Sequence, residues 1–482
     1  MGDFDKGVGP PLKKPQSMVD YDDDLAFARL RLQGPNCVVI QKCSQEVVNK
    51  FQSLGDAEYK GLKSKVDDLL SKEKLYVVDM SSPGKMQPSV FKEVPKYIHP
   101  AIALFEAVDD PLLSLRPLAI QLTDGAAPIF TPEDGYSWSI AKACFHGTDG
   151  MWHEMVTHLG QTHLTCEGFM TAMNRQLPSK HPIHALLAPH FEGTALINFG
   201  ATKILVQKNG PTDELMGATI EDIWVLITKE VKKRLESDFS PEADLAARHM
   251  TKEEFPGMYP YRDIGLQYWD ATLTWVQEYL EVFYGSTKAE QEANIAGDYE
   301  LQAFMKEMVS EAYCGWMAEV TTSSDQLATL AKILASVIYT GSTLHAAVNF
   351  PQKPIMGYTP AYPLAVWKEA PTDKSPKTFE DYISYLPPLE VTSTQVQVTN
   401  ILGSVIHTKL GDYEPEQFDN NERVQVALSK FQSAIEDIEE EIQDRNADVV
   451  SAWKAKGMER KLAANYAYNI LLPDNIPQSI NI

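Results

Sequence analysis

Three histidines spaced five apart, His153, His158 and His163, sit in a Pro-free and largely apolar stretch over residues 138–173. The stretch reads as one long helical segment, with a break expected near Gly147 and an end at Pro178. Five steps of about 100° leave successive histidines roughly 140° apart around an α-helix axis, so they cannot share a face. An i→i+5 turn would bring them to one side, and such π-bulges gather at functional sites. The spacing thus predicts a locally widened helix.

Seven of the 11 histidines fall between His146 and His190, which points to a metal site, although any one of them alone reads as an ordinary helical or core residue. Two metal chemistries fail on spacing. His153-Glu154 followed by His158 has one residue too many for H-E-x-x-H, whose histidines must be four apart to share a face. A di-iron bundle needs Glu-x-x-His repeated on paired helices, and none occurs near this cluster. What remains is a mononuclear site of imidazoles with a neutral amide and an oxygen donor, a set that suits iron or manganese. His345 and Asn349 are four apart on another apolar helix (324–350) and share a face without distortion.

The formal net charge of −23 argues against nucleic acid as a partner and against purely electrostatic docking on anionic membranes. Five cysteines, an odd number without a C-x-x-C pair, read as reduced thiols in a cytoplasmic setting. The first residues lack the apolar core of a signal peptide, and no run reaches the roughly 18 apolar residues of a membrane span. At most peripheral membrane contact is expected, and a monomer is the working expectation.

Residues 1–20, rich in Gly, Pro and charge, read as a flexible lead-in or linker, and 21–482 as one large domain. A helix follows Asp22–Asp24 and stops at Gly34. Short strands are expected at 37–40, 74–79 and 118–123, and amphipathic helix within 44–71. Further helices are expected at 219–240, 264–284, 298–317, 324–350, 395–410, 423–445 and 449–464. Residues 181–190 and 351–389 read as Pro-bounded connections, and 472–482 as a nonhelical tail. Strand signals are confined to the first third, so the fold class is mainly α, with a large helical core and a few short strands.

The block from His153 to Asn198 resembles the signature region of lipoxygenases, with the spacing H-x4-H-x4-H-x17-H-x8-H met by His153, His158, His163, His181 and His190. "LHAAVNF" at 344–350 is similar to the family's second signature, and the ending "IPQSINI" to its C-terminal motif. "DYELQAF" at 298–304, "YLPPLE" at 385–390 and "LGDYE" at 410–414 match as well. The resemblance covers roughly residues 20–482 and implies the helical lipoxygenase catalytic fold, similar to short bacterial forms that lack an N-terminal β-sandwich.

Carried over residue by residue, it implies metal ligation by His158, His163, His345, Asn349 and the main-chain carboxylate of Ile482. Iron is the expected metal, ahead of manganese. His153, His181 and His190 are expected to be structural. Glu154 and Gln352 resemble a polar pair linking the two signature helices. Leu205 aligns with a leucine that packs over the substrate, and Ala201 with a position where Ala accompanies S products. The implied reaction inserts O2 into polyunsaturated fatty acids bearing a 1,4-cis,cis-pentadiene, such as linoleate, linolenate or arachidonate, after abstraction of a bisallylic hydrogen. A catalytically silent fatty-acid carrier on this scaffold and a hydroperoxide isomerase are the alternatives.

Overall fold

The computed structural model of the chain describes residues 14–51, 60–83, 86–110, 112–122, 128–403, 408–414 and 416–482. Among these, every strand lies between Gln41 and Phe130. β1 (Gln41–Lys42), β2 (Leu75–Met80), β5 (Ala101–Ala107), β6 (Leu115–Leu122) and β7 (Ile129–Phe130) form one antiparallel sheet in that order. β3 (Ser89–Phe91) and β4 (Val94–Lys96) pair as a separate ribbon. Side chains alternate faces along a strand. Leu75 and Val77 of β2, with Ile102 and Leu104 of β5, therefore pack under the helices Gln45–Lys50 and Lys60–Ser71. Tyr76, Val78, Ala103 and Phe105 point the other way, into the main helical core. The register agrees, with Tyr76 opposite Phe105 and Val78 opposite Ala103.

Several expectations need correction. Residues 37–40 are turn and coil, with the strand displaced to Gln41–Lys42. β5 was not foreseen, because a short buried run such as Ala-Ile-Ala-Leu-Phe suits a strand or a buried helix equally. The connection at 181–190 contains the helix Pro182–Leu187, opened by His181, whose Nδ1 accepts from the Ile183 amide. The helices expected at 423–445 and 449–464 are largely one, Glu422–Ala455. Part of the lead-in, residues 1–13, lies outside the described residues. Gln16–Val19 form a 3-10 turn held to the fold by Ser17, whose hydroxyl donates to the carbonyl of Ile355.

Residues 136–176 run as one continuous helix: Tyr136–Met151, then the π-helical Trp152–Leu164, then Thr165–Gln176. The break expected near Gly147 does not occur. The glycines instead allow close approach of neighbours. A Cβ on Gly150 would lie 2.7 Å from Leu364 Cδ2, and one on Gly160 would lie 3.2 Å from Val231 Cγ2 of the helix Ile220–Leu235. A second long helix packs against this one, built of Gln326–Tyr339, a π-helical Thr340–Leu344, and His345–Asn349. By length and composition Gln326–Met356 could cross a membrane, but 83% of its most apolar window is buried inside the protein, as expected of a core helix.

The two helices are joined by the first histidine of the triplet. His153 Nε2 donates to the carbonyl of Val348 at 2.7 Å. Deeper still, a polar network fixes the start of the widened segment. Arg31 and the Tyr362 hydroxyl both reach Asp149, which also accepts from Asn36 at 2.7 Å. Thr157 in turn donates to Asn36 Oδ1 at 3.0 Å. The buried Arg31–Asp149 ion pair is held by these neighbours, because an unpartnered charge in the interior is costly.

Candidate metal centre

The π-helical turn does what the spacing of five requires. His158 and His163 now face the same point, and His345 arrives there from the second helix. His158 Nε2 lies 3.2 Å from His345 Nε2 and 3.3 Å from His163 Nε2. Nitrogens bound at roughly 2.1 Å to one metal, at right-angled to tetrahedral geometry, are about 3.0–3.4 Å apart. The trio fits a metal ion.

The proton positions agree with this. Asn198 donates through Nδ2 to Glu167 at 2.9 Å and to the His163 carbonyl at 3.2 Å, so its Oδ1 is free to accept. His163 Nδ1 stands 2.8 Å from that oxygen, which places the proton on Nδ1 and the lone pair on Nε2. His158 Nδ1 faces Glu154 Oε2 at 3.5 Å, which leaves its Nε2 toward the trio. Burial drives both rings toward the neutral form, with pKa values of about 4 for His158 and about 3 for His163, the latter also lowered by the nearby His158. His345 is held well below the usual imidazole value by burial and by the other two rings. Neutral imidazoles with converging lone pairs are metal ligands in waiting.

The other expected site residues surround the trio. Glu154 and Gln352 flank His158 Nδ1, Gln352 Nε2 at 3.4 Å, and Gln352 also donates to Asn349 Oδ1 at 3.0 Å. Burial raises the Glu154 pKa, with partial relief from His153. Asn349 is fully buried one turn beyond His345, and its Nδ2 donates to the Leu402 carbonyl at 2.8 Å. This leaves one lone pair of Oδ1 for a further partner. Ile482, Ala201 and Leu205 all line one cavity with His158 and His163.

That cavity encloses about 290 Å³ and is walled chiefly by aliphatic side chains from Met155, Leu159, Leu215, Met216, Leu364 and Leu402. The wall at 211–216 is held from behind by Lys96. Its ammonium donates to the carbonyls of Asp213, Glu214 and Met216 at 2.6, 2.9 and 2.7 Å. The tail is not frayed. His190 Nδ1 donates to the Gln478 carbonyl, Thr194 to the Ile480 carbonyl and Ser479 to the Glu192 carbonyl, while Ile476 and Ile480 are fully buried. Sequence reasoning missed Asn198, Thr194 and Glu167. Asn198 lies inside the signature block, and its position beyond a Gly193 turn gave no sign of its contact with His163.

Comparison with known proteins agrees with this geometry. The family model described as Lipoxygenase matches residues 13–473. A "Linoleate 9/13-lipoxygenase" of Pseudomonas aeruginosa is 34% identical over 99% of this chain and 69% of its own length. "Polyunsaturated fatty acid lipoxygenase ALOX15B" of Homo sapiens is 31% identical over 89% of this chain and 63% of its own. Among solved structures, coral 8R-lipoxygenase superposes with a TM-score of 0.81 at 25% identity, covering 97% of this chain and 68% of that one. A lipoxygenase solved anaerobically in complex with arachidonate superposes with a TM-score of 0.80 at 25% identity, covering 98% and 68%. The chain thus spans about two thirds of the length of the relatives it matches.

Proposed function

The chain belongs to the lipoxygenase family, and we propose that it oxygenates polyunsaturated fatty acids in the cavity beside the histidine trio. The observation that carries the reading is the convergence of three buried, neutral Nε2 atoms, with His158 and His163 of the trio lining a largely aliphatic cavity. The proposed ligand set is His158, His163, His345, the Asn349 side-chain oxygen and the Ile482 carboxylate. Three neutral imidazoles with a neutral amide and one carboxylate suit iron, with manganese second. When bound, iron would supply the one-electron oxidation by which a bisallylic C–H bond of the pentadiene is broken.

The chain's own residues do the rest. Asn198 holds the His163 proton on Nδ1, while Glu154 Oε2 and Gln352 Nε2 flank His158 Nδ1 at 3.5 and 3.4 Å. Such partners orient a metal-binding ring and tune it. The aliphatic walls position one methylene and keep water from the pentadienyl radical, which takes up both atoms of O2 to end as a hydroperoxide. Leu205 packs over the pentadiene, and Ala201 favours an S product. The five buried, unpaired thiols suit a reducing compartment, and a cytoplasmic location is proposed on that basis.

The test is addition of linoleate to purified, iron-loaded protein while conjugated-diene absorbance and O2 uptake are followed. A rise in both supports the reading. Stoichiometric iron with neither would instead mark a silent fatty-acid carrier.

A further inference from the structure

The short helix Pro211–Leu215 and the residue after it form one wall of the cavity, where Thr212, Leu215 and Met216 line it together with His158 and His163. Its last amide bond runs from Met216 to the Thr212 carbonyl at 2.8 Å, so the carbonyls beyond Thr212 have no helical donor. Lys96 supplies one. It is fully buried at the end of β4, and its ammonium carries three N–H groups for the three carbonyls of Asp213, Glu214 and Met216. The ribbon that carries Lys96 is joined to the wall a second time. The Ser89 amide donates to the Gly217 carbonyl at 3.0 Å, and the Ser89 hydroxyl donates to Asp213 Oδ1 at 3.2 Å. The chains pack so closely there that a Cβ on Gly217 would overlap the Tyr97 carbonyl.

Among the described residues no carboxylate accepts from this ammonium. The carboxylates that act on it from a distance are those of Asp213 and Glu214. Both are bound elsewhere: Asp213 Oδ2 accepts from the Asn209 amide at 2.8 Å, and Glu214 Oε1 from the Thr394 hydroxyl at 2.6 Å. Of the charged groups on neighbouring elements, Lys92 pairs with Glu390, and Asp222 accepts from the Gln87 amide. The buried cation therefore serves backbone carbonyls alone. Three bonds from one nitrogen fix three points of the chain, and with them the wall.

We propose that Lys96 is a positioning residue for the oxygenation proposed above: by fixing the backbone over 213–216 it holds Leu215 and Met216 at one place beside the acyl chain, and so limits which bisallylic methylene reaches the trio. The inference rests on that function. Arachidonate offers several such methylenes that differ only in their distance along the chain, so a wall free to yield would admit more than one. The clamp also has an upper pH limit. Burial pushes the Lys96 pKa down to about 8, against the attraction of Asp213 and Glu214. The neutral amine has only two N–H groups for three carbonyls, and a buried carbonyl is then left without its donor.

The experiment follows the positional isomers made from arachidonate by the iron-loaded full chain and by Lys96→Met, which keeps a long unbranched side chain without donors. Below pH 8 the ratio of main to minor isomers should be at least about threefold higher in the natural chain than in the variant. As pH rises through about 8 the natural ratio should fall to that of Lys96→Met, whose own ratio shows only the effect of pH on the substrate. A substitution that merely destabilised the fold would give no such convergence. Equal ratios in the two proteins below pH 8, or a natural ratio no more pH-dependent than the variant's, would overturn the inference and leave the proposed function standing. Absence of any hydroperoxide from the natural chain would refute the function and the inference with it.

Amide hydrogen exchange reads the clamp without iron or turnover, and on the natural chain alone should Lys96→Met not fold. Protection over 214–217 should fall through about pH 8 by more than the intrinsic rise in exchange rate, while that of the helix Ile220–Leu235 does not. Protection over 214–217 that follows the intrinsic rate throughout would contradict the clamp.

Discussion

His190 Nδ1 donates to the carbonyl of Gln478 at 2.8 Å, joining the end of the signature block to the tail that leads to Ile482. The other ring nitrogen fixes the protonation state. Tyr413 accepts from Trp275 Nε1 at 3.2 Å and so turns its own proton toward His190 Nε2, 2.8 Å away. A second proton on the imidazole would face an O–H donor, and burial adds to the penalty.

That ring makes the fold acid-sensitive. Burial, only partly offset by the bond to Gln478, pushes the His190 pKa down to about 4 from 6.5. The unfolded chain therefore binds the proton first. The contribution is fully present above pH 6.5 and is lost as pH falls from there through about 4, on the order of 3 kcal/mol in all. Urea midpoints measured from pH 7 to pH 4 should fall across this window, and His190→Gln should flatten the fall. A slope unchanged in that variant would remove His190 as its source.

Thr194→Val removes the donor to the Ile480 carbonyl, a 2.9 Å bond, while keeping the side chain's shape. A buried carbonyl left without its partner costs about 1–3 kcal/mol. The loss should appear locally, as faster amide exchange over 476–482 and faster release of metal to a chelator. Global unfolding without a change in tail exchange would contradict a role in seating Ile482.

Asn198→Ala deprives His163 Nδ1 of its acceptor. Loss of such a partner typically lowers metal affinity about 10–100-fold. Competition against a chelator measures this. Equal affinities in the natural chain and the variant would show that the contact does not govern the metal.

Ala201 lines the cavity at the start of the π-helical turn Ala201–Leu205. If its methyl group decides where O2 meets the pentadiene, Ala201→Gly will shift chiral-phase product analysis from S toward R. An unchanged enantiomer ratio would take Ala201 out of the stereochemical account.

The sequence disclosed the site unevenly, for physical reasons. The widened turn over 152–164 follows from the angular mismatch of histidines five apart, and nothing else in the chain makes so sharp a demand. The matching π-helical turn at 340–344 carries Thr-Gly-Ser-Thr-Leu, in which no repeated ligand type reveals the period. The burial of Ile482 depends on hydrogen bonds from His190 and Thr194, almost 290 residues earlier, so the residues of the tail alone read as frayed. Lys96 looks like an ordinary strand cation until three carbonyls of the cavity wall are seen around it. Long-range polar contacts of this kind leave no local periodicity.

The most direct measurement is the metal content of purified protein by mass spectrometry, for the natural chain and for His163→Ala and His345→Ala. The natural chain should hold about one iron, and each variant nearly none, because a mononuclear site loses most of its affinity with any one imidazole. Folded variants that keep a full equivalent of iron would contradict a centre built on His158, His163 and His345.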